Sequence, residues 1–251
     1  MKQLSSKVAI VTGASRGIGE AIADRFAENG AALVVVAIDA EEERLRAVCD
    51  RAKSQGVEAI FVRGDIADPE TSGRIVAAAI EKFDRIDVVV NCAGIVTRTP
   101  FESLSPADWH RVMEVNLYGP FYLSQKAIPA LRKAGGGSII NMSSQMSKRP
   151  HPSASPSYEV SKSGINALTR HLAWHCAADR IRVNAIAPGS INTDMPKSMT
   201  PEAREALKNG IPMKRLGEPV EVADLAVFLA SDHSAYITGT VIPIAGGTLM
   251  D

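Results

Sequence analysis

Tyr158 and Lys162 stand four residues apart at the start of a long stretch with helical apolar periodicity. On a helix that spacing puts both side chains on one face. A free phenol, with a pKa of about 10, is a poor proton donor or acceptor at neutral pH. A fixed ammonium nearby favours the phenolate and draws that pKa toward neutrality. A tyrosine tuned in this way can give a proton to a carbonyl oxygen or take one from an alcohol. The same pair also occurs on ordinary surface helices, so the rest of the chain must decide what it means.

A second cluster precedes it. The apolar run Val8-Ala9-Ile10-Val11 leads into Thr12-Gly13-Ala14-Ser15-Arg16-Gly17-Ile18-Gly19 and then into an amphipathic helix. Glycines at a strand-to-helix turn let the backbone approach a pyrophosphate, and the helix N-terminus favours its charge. The spacing is G-x-x-x-G-x-G, not G-x-G-x-x-G. A turn glycine-rich for packing alone would look similar, but the place at the first strand–helix junction favours a nucleotide.

The elements that must position these groups alternate. Apolar runs near 8–11, 33–38, 59–62, 88–90, 138–142, 181–186 and 240–244 read as buried strands. Helical patterns fall near 41–55, 69–83, 106–133, 158–178, 201–208 and 220–230, besides the one that follows Gly19 and ends at Gly30. This alternation predicts an α/β fold: a doubly wound, Rossmann-type parallel sheet of about seven strands with helices on both faces. Ligands of such a sheet bind beyond the carboxyl ends of its strands. Residues 1–251 are expected to form one dinucleotide-binding catalytic domain with a substrate lid around 190–217.

Composition narrows the function. Lys+Arg and Asp+Glu number 28 each in 251 residues, so the formal net charge is zero. That balance argues against a nucleic-acid partner or a membrane surface. Residues 1–7 lack the apolar core of a signal peptide. Cys49, Cys92 and Cys176 are scattered and odd in number, as expected of free thiols in a reducing cytoplasm. Of the five histidines only His171 and His175 share a helix face, with no acidic or Cys partner, so no metal site is expected.

Several motifs occur in one order along nearly the whole chain. Thr12-Gly13-x-x-x-Gly17-x-Gly19, Asn91-x-Ala93-Gly94, Asn116, Ser144, Tyr158-x-x-x-Lys162 and Pro188-Gly189 are followed by Arg215-Leu216-Gly217-Glu218-Pro219 and Tyr236-Ile237-Thr238-Gly239. Together they resemble the short-chain dehydrogenase/reductase family. The resemblance implies a hydride transfer between a nicotinamide and a secondary alcohol or ketone. It makes Tyr158 the general acid/base and Lys162 the group that lowers its pKa and binds the nicotinamide ribose. Ser144 polarises the substrate oxygen; Ser143 beside it is the rival. Asn116 holds a water that links Lys162 to solvent. Gly13, Ser15, Arg16, Gly17, Ile18 and Gly19 cradle the cofactor, with Asp65 and Ile66 at the adenine. Asn91, Ala93 and Gly94 support it, and Pro188, Gly189, Ile191 and Thr193 line the nicotinamide side. Thr193 could alternatively cap the lid helix.

Some positions depart from the family pattern. The acidic residue that selects NAD falls on Ala37, while Asp39 lies two residues on and Arg16 could pair with a 2′-phosphate. The cofactor is therefore NADP or NAD, with the balance toward NADP. Cys92 replaces a common Asn and reads as a small buried thiol. Ala245 replaces a common Asp. The loop from Gln145 to Ser157 joins two catalytic positions and should lie over the substrate. Gln145, Lys148 and Arg149 are its candidate substrate contacts, and the basic side chains, with His151, suggest an anionic substrate. Met195, Met199 and Met213 could form an adaptable apolar wall of the lid. The competing reading is a non-catalytic dinucleotide-binding redox sensor. The family resemblance also implies a homo-oligomer, tetramer or dimer.

Overall fold

The structure, a computed structural model, describes residues 2–150, 154–193 and 199–250. Its centre is a seven-stranded sheet in the order β3-β2-β1-β4-β5-β6-β7, with every neighbouring pair parallel. The strands are β1 (Val8–Thr12), β2 (Ala32–Ala37), β3 (Ala59–Arg63), β4 (Val88–Asn91), β5 (Gly137–Met142), β6 (Ile181–Pro188) and β7 (Val241–Ile244). The helices are α1 (Gly17–Glu28), α2 (Glu42–Ser54), α3 (Pro69–Phe83), α4 (Pro106–Met113), α5 (Gly119–Lys133), α6 (Pro156–Cys176), α7 (Pro201–Asn209) and α8 (Pro219–Ala230).

Successive strand residues point to opposite faces, so each central strand feeds two cores. Ala9, Val11, Leu33, Val35, Val88, Val90 and Ile186 pack with Phe26 of α1, Leu45 and Val48 of α2 and Val222 of α8. Ile10, Val34, Val36, Val89, Ile139 and Val183 pack with Ile75 of α3, Leu123 and Leu131 of α5 and Ala173 of α6. Burial on both faces explains why the strands read as unbroken apolar runs rather than alternating ones. The edge strand β7 is only half-buried throughout.

Strand order reverses between β1 and β4, which places the switch point where the Gly13 loop and Asn91 lie side by side. Here the backbones touch. A Cβ on Gly13 would lie 2.8 Å from Ala93 Cα, and Gly13 has a φ of +67°. The Thr12 hydroxyl accepts from the amides of Cys92 and Ala93, both at 3.0 Å, and so stitches the two loops together.

Two local expectations are corrected. The helix expected over 106–133 is interrupted by a π-helical turn, Glu114–Tyr118, with Asn116 at its middle. Such turns insert a residue without ending the helix, which periodicity does not reveal. The second strand stops at Ala37 rather than Ile38, and Ile38 is half exposed.

Candidate active site

The four candidate catalytic side chains come from three elements and meet at the carboxyl ends of β4 and β5. Ser144 follows β5 in extended backbone, and its hydroxyl accepts from the Met146 amide at 3.1 Å. That hydroxyl also acts on Tyr158, on the first turn of α6, favouring its phenolate. Lys162, one turn on and only 4% exposed, places its ammonium 5.8 Å from the centre of the Tyr158 ring. The ammonium donates to the Met142 carbonyl at 2.7 Å. Asn116 reaches the same place from the π-turn. A Cβ on Gly94 would lie 3.3 Å from Asn116 Oδ1 and 3.5 Å from Lys162 Nζ, so Gly94 leaves room for both.

The electrostatics differ from the expectation. Lys162 was expected to draw Tyr158 toward neutrality. Instead, burial raises Tyr158 above the usual phenol value, partly offset by the Ser144 hydrogen bond. Burial also lowers Lys162 to about 8. Low-dielectric surroundings penalise phenolate and ammonium alike. The ammonium faces the Tyr158 ring and the Met142 carbonyl. Cys92, expected to be a buried thiol, is only half-buried, although the desolvation of its sulfur pushes it up to about 12.

Asn116 is held on both ends of its amide. Its Oδ1 accepts from the Ile95 amide at 2.8 Å, and its Nδ2 donates to the Ile95 carbonyl at 2.9 Å and to Ser161 Oγ at 3.2 Å. The side chain therefore clamps the strand-β4 loop to α6. Ser143, the neighbour of Ser144, is turned elsewhere: its hydroxyl donates to Asn166 Oδ1 at 2.6 Å. Asn166 in turn donates to Ser147, whose hydroxyl donates to the Ser144 carbonyl at 2.7 Å. Thr12, Ser161 and Asn166 are supporting residues to which sequence reasoning gave no role. Their partners lie 45 residues or more away for Thr12–Ala93 and Asn116–Ser161, beyond any local pattern.

The glycine loop fits a dinucleotide. Arg16 stands at the N-cap of α1 with no side-chain cap, so the first-turn amides keep their donors for a ligand. A Cβ on Gly19 would overlap the Gly13 carbonyl oxygen, and Gly17 has a φ of +60°. Ser15 is buried and Ile18 half-buried in the same turn. Across from it, Thr193 approaches Gly17, its methyl 3.4 Å from where a Cβ would stand. Ile191 pairs with Gly217, and a Cβ there would meet Ile191 at 2.7 Å. The rest of the Arg215–Pro219 motif caps α8: Glu218 and Glu221 form a capping box, and Arg215 holds the Glu221 carboxyl down at about 2. Pro188 ends β6, and a Cβ on Gly189 would meet Ala245 Cα at 2.8 Å.

Other expected residues take different partners. Asp65 pairs with Arg111 of α4 at 2.6 Å, and Ile66 packs under Gly119. The Asn91 amide donates to Ser124 and Asn141, beneath the site rather than into it. Gln145 is buried against Thr248. Arg149 donates to the Thr248 carbonyl at 2.7 Å. Lys148 is exposed. The described lid helix, α7, is capped by Thr200, not Thr193. His151 and Met195 lie outside the described residues. His171 and His175 stack at 6.4 Å, and no metal-binding cluster occurs among the described residues.

Residues 13–248 match the family described as enoyl-(acyl carrier protein) reductase. The chain belongs to the short-chain dehydrogenase/reductase family. Among its relatives in this family, the 2,5-dichloro-2,5-cyclohexadiene-1,4-diol dehydrogenase of Sphingobium indicum is 37% identical over 98% of this chain and 97% of its own. The 3-oxoacyl-(acyl-carrier-protein) reductase of Thermotoga maritima is 38% identical over 99% of this chain and 100% of its own. A putative short-chain alcohol dehydrogenase from Sinorhizobium meliloti superposes with a TM-score of 0.91 at 38% identity, covering 98% of this chain and 97% of its own. As a short-chain dehydrogenase/reductase, the protein is an NAD(P)-dependent oxidoreductase of alcohol and carbonyl groups. No helix among the described residues is long and apolar enough to cross a membrane.

Proposed function

We propose that Tyr158 is the general acid/base of this enzyme, with Ser144 orienting the substrate oxygen and Lys162 and Asn116 completing the site. The observation that carries this reading is the meeting of Ser144 and Tyr158 beside a buried Lys162, whose ammonium stands 5.8 Å from the centre of the Tyr158 ring. The nicotinamide cofactor, when bound, supplies or accepts the hydride. The protein's own part is to hold the substrate oxygen between two hydroxyls and move one proton. In reduction Tyr158 gives its proton to the oxygen on which charge develops, while Ser144 donates a hydrogen bond to it. Lys162 then faces the phenolate that remains. Asn116 keeps the Ile95 loop and α6 in register around Lys162, and a water held at the π-turn would carry the replacement proton. The redox-sensor alternative leaves this convergence of four side chains without a use.

The cofactor residues proposed are Gly13 to Gly19 except Ala14, together with Ala37, Asp39, Asp65, Ile66, Asn91, Ala93, Gly94, Tyr158, Lys162, Pro188, Gly189, Ile191 and Thr193. NADP is the proposed cofactor. β2 ends at Ala37 with no carboxylate, and Asp39 is exposed at the start of the next turn. Arg16 and Arg44 line one cleft of about 340 Å³ beside the glycine loop. Both touch Glu41 only loosely, at 3.4 Å, and both are more than half exposed, so that pairing holds them weakly. Arg16→Ala is expected to lower kcat/KM for NADPH by roughly 10- to 100-fold, the range for a charge-assisted phosphate contact. NADH kinetics should change little. A wild-type preference for NADH, or equal losses with both cofactors, overturns the assignment.

The proposed assembly is a homo-oligomer, tetramer or dimer, in the cytoplasm, with a small alcohol or carbonyl compound as the substrate. Tyr118 and Phe121 around the start of α5 and Val160 and Trp174 on α6 are exposed, Trp174 at 90%. A second copy covering these two helices would bury them. Light scattering at micromolar concentration should give a multiple of the chain mass; the mass of one chain would refute it. The three cysteines, all free, suit a reducing compartment.

A further inference from the structure

Beyond β7 the chain turns back across the site at Ala245-Gly246-Gly247-Thr248, and this turn touches three separate walls. Ala245 packs on Gly189 at the end of β6, and the Gly189 amide donates to Ile244 at 3.0 Å. The Gly246 carbonyl accepts from the Met213 amide at 3.1 Å, at the end of the lid. Gly246 and Gly247 have φ of +60° and +87°, and Cβ atoms there would meet Ile211 and Pro212 at 2.9 and 3.0 Å. The third wall is the loop after β5. The Thr248 hydroxyl contacts the Gln145 carboxamide and the Ala245 carbonyl, and the Thr248 carbonyl accepts from Arg149 at 2.7 Å. Four residues thus join the lid, the nicotinamide-side loop and the loop that carries Ser144.

The contact with Gln145 has a chemical consequence. Gln145 directly follows Ser144 and is 9% exposed. The oxygen of its carboxamide is held by the Thr248 hydroxyl, which fixes the orientation of the group. With its oxygen held, the Nε2 end of the carboxamide is turned away from Thr248 and can donate to a ligand. A carboxamide offers both a donor and an acceptor, so it can meet a hydroxyl or a carbonyl.

We propose that the 245–248 turn is a strap joining the substrate-pocket walls, and that Thr248 is the positioning residue that aims Gln145 at a second oxygen of the substrate, near the reacting carbon. This rests on the reading of Ser144 and Tyr158 as the reacting site. It also gives Arg149 a different use from the anion contact expected of it: its guanidinium anchors the strap.

The test compares the wild-type holoenzyme with Thr248→Val and Thr248→Ser, using NADPH and two ketones that differ by one hydroxyl, cyclohexanone and 2-hydroxycyclohexanone. Thr248→Val should raise KM for the hydroxyketone by about 10-fold, the effect of losing one oriented hydrogen bond at a buried site. It should leave kcat, cyclohexanone kinetics and the NADPH dissociation constant unchanged, and Thr248→Ser should restore the wild-type KM. Independently, hydrogen exchange at the Met213 amide should quicken in the Val variant and return to normal in the Ser variant. Equal changes on both ketones, no change on either, or a joint loss of kcat and NADPH binding would overturn the specificity role. Unchanged Met213 exchange would overturn the strap. If the wild type reduces neither ketone while Met213 exchange responds, the reading of the reacting site fails and the strap stands alone.

Discussion

Tyr158→Phe is expected to lower kcat for ketone reduction by about 10³- to 10⁴-fold, the upper range for loss of a positioned general acid. The change removes one oxygen and leaves the ring, so the Lys162 ammonium keeps the aromatic face 5.8 Å from it and α6 keeps its packing. Ser144 keeps its bond from the Met146 amide and loses only its neighbour's hydroxyl. NADPH binding should therefore survive with a dissociation constant within about threefold, since the Tyr158 hydroxyl contributes at most one hydrogen bond to it. Single-turnover kinetics with fluorescence titration of NADPH separates the two quantities. Turnover above a few per cent of wild type would mean that water or Ser144 supplies the proton. Loss of NADPH binding along with turnover would mean that Tyr158 holds the cofactor rather than the proton. The direction of the Tyr158 shift matters for the choice of reaction. Burial keeps the phenol protonated at neutral pH, so the unliganded site is charged with a proton to give, and reduction needs no prior ionisation. Oxidation needs the phenolate and should rise with pH.

The fold was legible because its signals are local. Val8–Val11, Val88–Val90 and Ile139–Ile140 are apolar without alternation because both faces of their strands are covered, and the glycines of the first turn mark the switch point directly. The four side chains proposed to react each belong to a motif in fixed order, and the structure brings them together at the ends of β4 and β5. What was hidden depends on distance in the chain. Asn116 was singled out by its motif, but its bonds to Ile95 became visible only with the π-turn that aims it there. Ser143 and Ser144 are adjacent and chemically alike; only the side of the strand end on which each falls gives one to Asn166 and the other to Tyr158. The basic loop residues looked like a substrate-facing patch, yet Arg149 reaches a carbonyl 99 positions away. The sign of the Tyr158 shift was misjudged for a related reason. Helical spacing reports that Tyr158 and Lys162 share a face, whereas burial depth and the Met142 carbonyl decide how their charges are felt.

That correction sharpens what Lys162 does. With its value lowered to about 8 by burial, the side chain is mostly ammonium at pH 7 and mostly amine at pH 9. Only the ammonium stabilises the phenolate left when Tyr158 gives up its proton. The sign is therefore set: kcat/KM for reduction should be high below about 8 and decline as pH rises through it. Lys162→Met keeps the stem volume and removes the charge. It should lower kcat by roughly 10²-fold or more and abolish the break near 8 in the reduction profile. NADPH affinity should also fall, because the ammonium is the proposed partner of the ribose. Stability provides the control. The folded state holds Lys162 at about 8, below its ordinary 10.5, so between those values the unfolded chain binds more protons than the folded one. The cost of burying the ammonium is thus fully present below pH 8 and fades as pH rises toward 10.5. Methionine removes that cost but orphans the Met142 carbonyl, and the two changes oppose each other. The melting temperature at pH 7 should consequently move by no more than about 5 °C while turnover collapses. A break near pH 8 that persists in Lys162→Met would assign it to another group. A large fall in melting temperature would make Lys162 a structural lysine rather than the electrostatic partner of Tyr158.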